Sequence, residues 1–229
     1  MDDINANFCF PLPRQLQNER VKLVPFLAST HAAAFCAGVE DGIFSYLSFG
    51  PLATVDDFIS ILDTRVRPDP GTAVFAVIDK ASGELAGTIG VVNTSTLHLK
   101  CEIGFIITLP RFQRTHVTSN AAGLLLHFLL DAPAQGGLGL RRVSWEAVTH
   151  NTSSVRAAER LGFRREGVRR WNWVLPESKN EANENGGATR DGDPKPNSLG
   201  GDCIMLGLCW DEWEGGVRET VDASMKRSV

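Results

Sequence analysis

Between residues 72 and 110 three apolar segments follow one another with no helix-length stretch between them: TAVFAVID, LAGTIGVVNT and LHLKCEIGFIITLP. The links are short, SGE at 82–84 and Ser95–Thr96. A parallel pair needs a crossover of about a dozen residues or more, so links this short require antiparallel hairpins. TAVFAVID is apolar on both faces, which suits a central strand covered on both sides. The cover is supplied by helical segments. Thr118–Asp131 places Ala121, Leu124, Leu125, Phe128 and Leu129 at helical spacing,. TVDDFISILDTRV (54–66) offers Thr54 as an N-cap before Phe58, Ile61 and Leu62,.

The rest of the chain extends this pattern. RVKLVPF (20–26) has strand character, LASTHAAAFCAGVE (27–40) is an Ala-rich helical run, and DGIFSYLSFGPLA (41–53) is a Gly- and Pro-punctuated loop. RRVSWEAV (141–148) alternates apolar Val143, Trp145 and Ala147 with polar neighbours, as a half-buried strand does,. A short helix fits between Asn151 and Gly162, followed by the strand-like FRREGVRRWNWVLP (163–176) and CIMLGLCW (203–210). Trp213, Val217 and Val221 mark a closing helix. The expected fold is α/β, one mixed and largely antiparallel sheet flanked by helices, in a single domain over 19–229. Residues 1–18 read as a flexible N-terminal arm. Residues 177–201 are nearly free of apolar side chains and read as a disordered insert,.

Composition narrows the function. Lys and Arg number 23 against 27 Asp and Glu, a net charge of −4. That gives no broad positive field for a phosphate polymer, and no nucleic-acid partner is expected. Five cysteines, widely spaced and without a CxxC pair, suggest neither a disulfide framework nor a zinc site,. The longest apolar run, Ala121–Leu130, is too short to span a bilayer,. The opening MDDINANF is acidic, unlike a secretory signal,. The chain is expected to be cytoplasmic, without membrane or metal partners.

Two stretches carry the chemistry. In EIGFIITLPRFQRTHVTSNAAGLLL (102–126) a strand ends at Pro110 and a short loop leads into a helix. A helix start presents unpaired N–H groups and the positive end of the dipole, an anion site. Arg111, Arg114 and His116 add cationic or polar donors, and Thr115, Thr118 and Ser119 add hydroxyls. An ordinary capped helix with solvated arginines would look the same. In HNTSSVRAAERLGFRREG (150–167) Asn151 and Ser154 stand three apart at a second helix start, with Gly162 as its stop. Capping alone accounts for such a pattern.

Taken together and in this order, the two stretches resemble the GNAT acyltransferase superfamily, in the branch that includes the ribosomal-protein N-acetyltransferases. The quoted features are the Trp-bearing strand RRVSW, the Asn-x-x-Ser helix start, the Leu-Gly-Phe helix end before Glu-Gly, and the upstream Glu-Ile-Gly strand with its Gln-Arg-Thr loop. GPLATVDDF also matches the segment that follows the first helix in this branch. The likeness covers about residues 18–175. It implies acetyl-CoA as co-substrate, bound where the strand at 102–109 splays from the one at 141–148. Backbone groups near Ile106 and Thr108 would bond the pantetheine arm. The pyrophosphate would sit on the loop and helix start formed by Gln113, Arg114, Thr115, His116, Val117, Thr118 and Ser119. Asn151 would contact the pantetheine from the far side, and Ser154 would point at the thioester sulfur and protonate the leaving thiolate. His116 and Thr118 stand where the family's loop is usually Gly-rich, and Ala158 stands where many members have a general-acid Tyr.

Acetyl transfer to an amine also needs a base, because a lysine-like amine has a pKa near ~10.4. Glu102 is the first candidate, acting through water; a surface strand carboxylate would look the same. Glu146 and His150 are alternatives. The resemblance puts the acceptor between the first two helices and the strand near 168–175, where Phe44, Tyr46, Phe49, Trp171 and Trp173 would form an aromatic mouth. The same aromatics could equally be loop-to-strand packing. The leading expectation is an N-acetyltransferase acting on a primary amine by direct transfer in a ternary complex. The alternative is a non-catalytic acyl-CoA-binding or interaction protein, and a longer acyl-CoA donor is a third reading. The acceptor is left open, as is the choice between monomer and homodimer.

Overall fold

The computed structural model describes residues 4–177 and 189–227. Its strands are β1 (Leu16–Gln17), β2 (Val21–Pro25), β3 (Ala73–Asp79), β4 (Leu85–Ser95), β5 (Lys100–Thr108), β6 (Arg142–Val148), β7 (Arg164–Val174) and β8 (Gly200–Cys209). The helices are α1 (Ala28–Gly38), α2 (Val55–Arg65), α3 (Val117–Leu130), α4 (Thr152–Arg160), a single turn α5 (Trp210–Glu212) and α6 (Arg218–Lys226). All eight strands form one sheet in the order β1-β2-β3-β4-β5-β6-β8-β7. Neighbours are antiparallel throughout except β5 with β6. The mixed, mostly antiparallel α/β architecture read from the chain is the one found.

Local chemistry explains the element ends. Thr54 closes a capping box on α2: its hydroxyl accepts from the Asp57 N–H at 3.1 Å, and Asp57 Oδ2 accepts from the Thr54 N–H at 2.8 Å,. β3 is buried at every position but Ile78, in keeping with its unbroken apolar run. α3 is buried well beyond the single face expected of it, because α6 packs on its outer side. Gly123 marks the closest approach: a Cβ there would lie 2.5 Å from Met225 Sδ. His127 bridges the two helices, with Nδ1 2.8 Å from Asp131 Oδ2 and Nε2 2.8 Å from Asp222 Oδ1.

The structure departs from the sequence reading in places. The closing helix is broken: α5 and α6 flank a wide turn, Trp213–Val217, in which Gly216 takes φ 121°. β8 starts at Gly200, and part of the polar stretch 177–201, residues 178–188, lies outside the described residues. Within the stretch read as an arm, Ile4 and Asn5 are buried. The Asn5 side chain donates to Val74 O at 3.0 Å and accepts from the Val74 N–H at 2.8 Å. β1 adds an edge strand to β2.

One irregularity sets up the functional site. β5 and β6 pair only from Lys100 with Arg142 to Ile103 with Trp145. Beyond that point the strands diverge, leaving Gly104–Thr108 and Glu146–Val148 on either side of a wedge. Pairing between β4 and β5 shifts register between Thr88 and Gly90, where β5 carries an extra residue. Phe105 takes φ 49° there, and its carbonyl accepts from Thr88 Oγ1 at 2.8 Å. Such a bulge bends its strand and takes backbone groups out of the ladder. Gly87 is required opposite it: at φ 150° a Cβ would lie 2.0 Å from Ile107 O.

Candidate active site

Two cavities meet at the wedge, one of about 800 Å³ on the α3 side and one of about 400 Å³ on the side of β7 and the 46–49 loop. Tyr46, Ile106, Asn151 and Ser154 line both. An elongated ligand passing between the strands would therefore reach from one cavity into the other.

On the larger side the start of α3 has no side-chain cap and no acidic residue in its first turn. Its leading N–H groups face no competing carboxylate, as an anion site requires. Thr108 Oγ1 lies 2.8 Å from Thr118 Oγ1, tying the end of β5 to the helix start, and Gln113 Nε2 donates to Thr108 O at 3.2 Å. Arg114 takes φ 60°, the left-handed conformation for which glycine is usual,. His116 turns away from the helix start: its Nε2 lies 3.0 Å from Asp79 Oδ1. Burial pushes the Asp79 carboxyl up, but bonds from the Ser82 hydroxyl and N–H and from His116 outweigh it and hold the group below its ordinary value. Every residue expected to bind cofactor lines this cavity except Val117, whose side chain is buried in the core.

The sequence reading missed the opposite wall. Arg156 and Arg160, one helical turn apart on α4, line this cavity, as does Arg227 beyond α6. The available signal was the i, i+4 spacing of Arg156 and Arg160 on the helix opened by Asn151. A cavity with an uncapped helix start, hydroxyls and several guanidinium groups suits a phosphorylated ligand such as acetyl-CoA.

At the wedge itself, Asn151 both caps and lines. Its Oδ1 accepts from the Ser154 N–H at 3.1 Å, while its side chain also faces the cavities. Ser154 Oγ accepts from the indole N–H of Trp145 at 2.9 Å, which leaves the hydroxyl proton free for another acceptor,. Trp145 is fully buried against Phe163, at 5.6 Å between ring centroids. Asn151 thus caps α4 through the Ser154 N–H, and both residues also border the gap between the strands.

The smaller cavity is different in chemistry. Glu102 on β5 and Glu146 on β6 both line it. Burial raises the Glu102 carboxyl, the nearby Glu146 charge raises it further, and Asn93 and Arg169 pull partly back, leaving it at about 7. Asn93 Nδ2 donates to Glu102 Oε2 at 2.9 Å. Glu146 is paired with Arg169 at 3.0 Å and accepts from Asn172 Nδ2 at 3.2 Å. His150 does not line either cavity, and its Nε2 is buried without a hydrogen-bond partner.

The five expected acceptor aromatics divide. Tyr46, Phe49 and Trp173 line the smaller cavity. Phe44 is instead core, packed so closely that a Cβ on Gly50 would lie 2.3 Å from its ring. Trp171 takes φ 54° and lays its ring over Gly200, 58% exposed and outside both cavities. The resemblance put Trp171 and Trp173 at one mouth; the register shift between Arg169 and Trp173 separates them.

Comparison with known proteins gives a consistent picture. The family model of the acetyltransferase (GNAT) domain matches residues 20–164. An uncharacterized N-acetyltransferase of Bacillus subtilis, YoaA, is 25% identical over 163 residues, 70% of this chain and 87% of that protein. The crystal structure of a GCN5-related N-acetyltransferase from Brucella melitensis superposes with a TM-score of 0.76 at 28% identity, over 94% of this chain and 86% of that one. RimJ of Mycobacterium smegmatis, solved with CoA-disulfide, has a TM-score of 0.65 at 16% identity, over 89% of this chain and 88% of that one, and shares the fold. No helix among the described residues is long and apolar enough to cross a membrane.

Proposed function

The chain belongs to the GNAT acetyltransferase family, and we propose that it moves an acetyl group from acetyl-CoA to a primary amine by direct transfer, with both substrates bound at once. One observation carries the proposal. The unpaired halves of β5 and β6 separate a cationic cavity from one that holds a carboxyl titrating near neutrality, and Ser154 borders both.

Acetyl-CoA supplies the thioester; the chain supplies position and proton traffic. The α3 start, with Arg114, Thr115, Thr118 and Ser119, and the facing Arg156 and Arg160 would take the phosphates,. Asn151 and the bulged stretch around Ile106 would hold the pantetheine arm. Glu102 takes a proton from the acceptor ammonium, directly or through one water, so that a neutral nitrogen can form the new C–N bond. As the C–S bond breaks, the Ser154 hydroxyl gives its proton to the departing sulfur and is reprotonated from solvent, while the second proton of the attacking nitrogen leaves to solvent. The balance is one acetamide, one CoA thiol and one proton released for each ammonium consumed. Trp145 is a positioning residue, because its indole N–H fixes the Ser154 oxygen.

The test is calorimetric titration of the full chain with acetyl-CoA, followed by CoA release across a panel of primary amines. Micromolar binding with release of CoA for at least one amine is expected. No binding at millimolar acetyl-CoA, or binding with no amine turned over, overturns the reading.

A further inference from the structure

The smaller cavity holds two carboxyl groups, Glu102 and Glu146, and two guanidinium groups, Arg65 and Arg169. Three of these are committed to partners within it. Arg169 and Asn172 hold Glu146, and Asn93 holds Glu102. Arg65 is the exception. Its bonds go to Ser48, with Nη1 3.2 Å from the hydroxyl and 3.5 Å from the carbonyl oxygen. Among the described residues no carboxylate stands within ion-pairing distance of it.

The charges therefore do not balance evenly through the cavity. Glu146 and Arg169 cancel, Glu102 titrates near neutrality, and Arg65 at the C-terminal end of α2 is left as an uncompensated cation beside Tyr46–Phe49. A second ammonium on the acceptor would meet that cation. An acid anion would gain charge-assisted, fork-shaped hydrogen bonds from it. A volume of about 400 Å³ is at the small end of ligand sites and suits a small molecule,. Phe49 and Trp173 offer that molecule an apolar wall.

Resting on the acetyl-transfer reading above, we infer that the acceptor is a small amino acid-like molecule, a primary amine that carries its own acid anion, with the anion on Arg65 and the amine toward Glu102. The Arg65 guanidinium and the half-buried Glu102 carboxyl then recognise the two ends of one substrate. A diamine has the wrong charge for Arg65, and an unblocked peptide N-terminus has no anion at the right end.

Matched pairs test this with the full chain and saturating acetyl-CoA: phenylalanine against 2-phenylethylamine, ornithine against 1,4-diaminobutane, and phenylalanine against a peptide beginning with Phe. The acid-bearing member is expected to have the higher kcat/KM by tenfold or more. In Arg65→Ala that ratio is expected to collapse toward one, through KM of the acid-bearing member, and Arg65→Lys to recover part of it. Equal or better use of the diamine or the peptide overturns the inference, as does an Arg65→Ala ratio equal to that of the native protein. If acetyl-CoA binds and no amine at all is acetylated, the acetyl-transfer reading itself falls, and the binding titration separates that failure from the narrower one.

Discussion

The two cavities on either side of the splayed strands are built from opposite chemistry. Toward α3 the walls are donors: helix N–H groups, hydroxyls and the guanidinium groups of Arg114, Arg156 and Arg160. Toward β7 the walls carry two carboxyls, Glu102 held by Asn93 and Glu146 by Arg169 and Asn172, with Arg65 and aromatic surface around them. The first arrangement stabilises negative charge that is permanent. The second holds a proton acceptor at a pKa where it can act. The difference teaches that binding and chemistry are separable here, joined at Tyr46, Asn151, Ser154 and the bulged segment of β5.

The largest expected effect lies on the carboxyl side. Glu102→Gln is expected to lower kcat by about 10²–10⁴-fold, the usual worth of a positioned general base, while acetyl-CoA affinity stays in the native range. In the native protein kcat/KM should rise as pH passes upward through about 7, because the base must lose its proton; that limb should vanish in the variant. Stability runs the other way. A carboxyl whose folded pKa is raised favours the folded state while protonated and loses that contribution as pH rises through the folded value. Denaturant titration should thus find Glu102→Gln more stable than native at pH 8, by about 1 kcal/mol after screening, and equal to it near pH 4. If instead acetyl-CoA affinity falls with kcat, the two cavities are not separable.

On the donor side, replacing Arg156 and Arg160 together by alanine should weaken acetyl-CoA binding about tenfold or more and flatten its dependence on ionic strength. The change should appear in the KM for acetyl-CoA and leave the pH limb in place. A lost pH limb would mean the arginines act on the carboxyl pair across the gap. The smallest effect is expected at the junction. Asn151→Ala removes a cap worth about 1 kcal/mol and should lower Tm by about 2–4 °C, with weaker acetyl-CoA binding. A shift in Tm alone, with unchanged binding, would reduce Asn151 to its capping role.

Much of the donor side was legible in the chain because it is local. A strand, a short loop and a helix start are contiguous, so this stretch could be read as one unit, and of the residues expected there to bind cofactor Val117 alone points into the core. The facing arginines were missed because they belong to a different helix and make sense only across a gap. The carboxyl side was read less well. Glu102 was singled out, but the reason it titrates near 7 lies in burial and in Glu146 on a neighbouring strand. Phe44 and Trp171 fall in the segments that the resemblance places at the mouth, but a resemblance does not fix where each ring packs. Each ring instead lies against a glycine, Phe44 on Gly50 and Trp171 on Gly200, where a Cβ would leave no room for it.

The sequence by itself determined the kind of sheet, since links too short for crossovers force antiparallel hairpins, and it determined the two helix starts, α4 through the Asn151 cap and α3 through its apolar periodicity, since both signals are short-range. Only the tertiary structure decided where β5 and β6 stop pairing, because that depends on a one-residue bulge registered against β4 and on which strand β8 chooses as its neighbours. The guanidinium of Arg65, without a carboxylate partner among the described residues, is of the same kind. An ion pair made or not made is a fact about distances between segments far apart in the chain, and no local pattern encodes it.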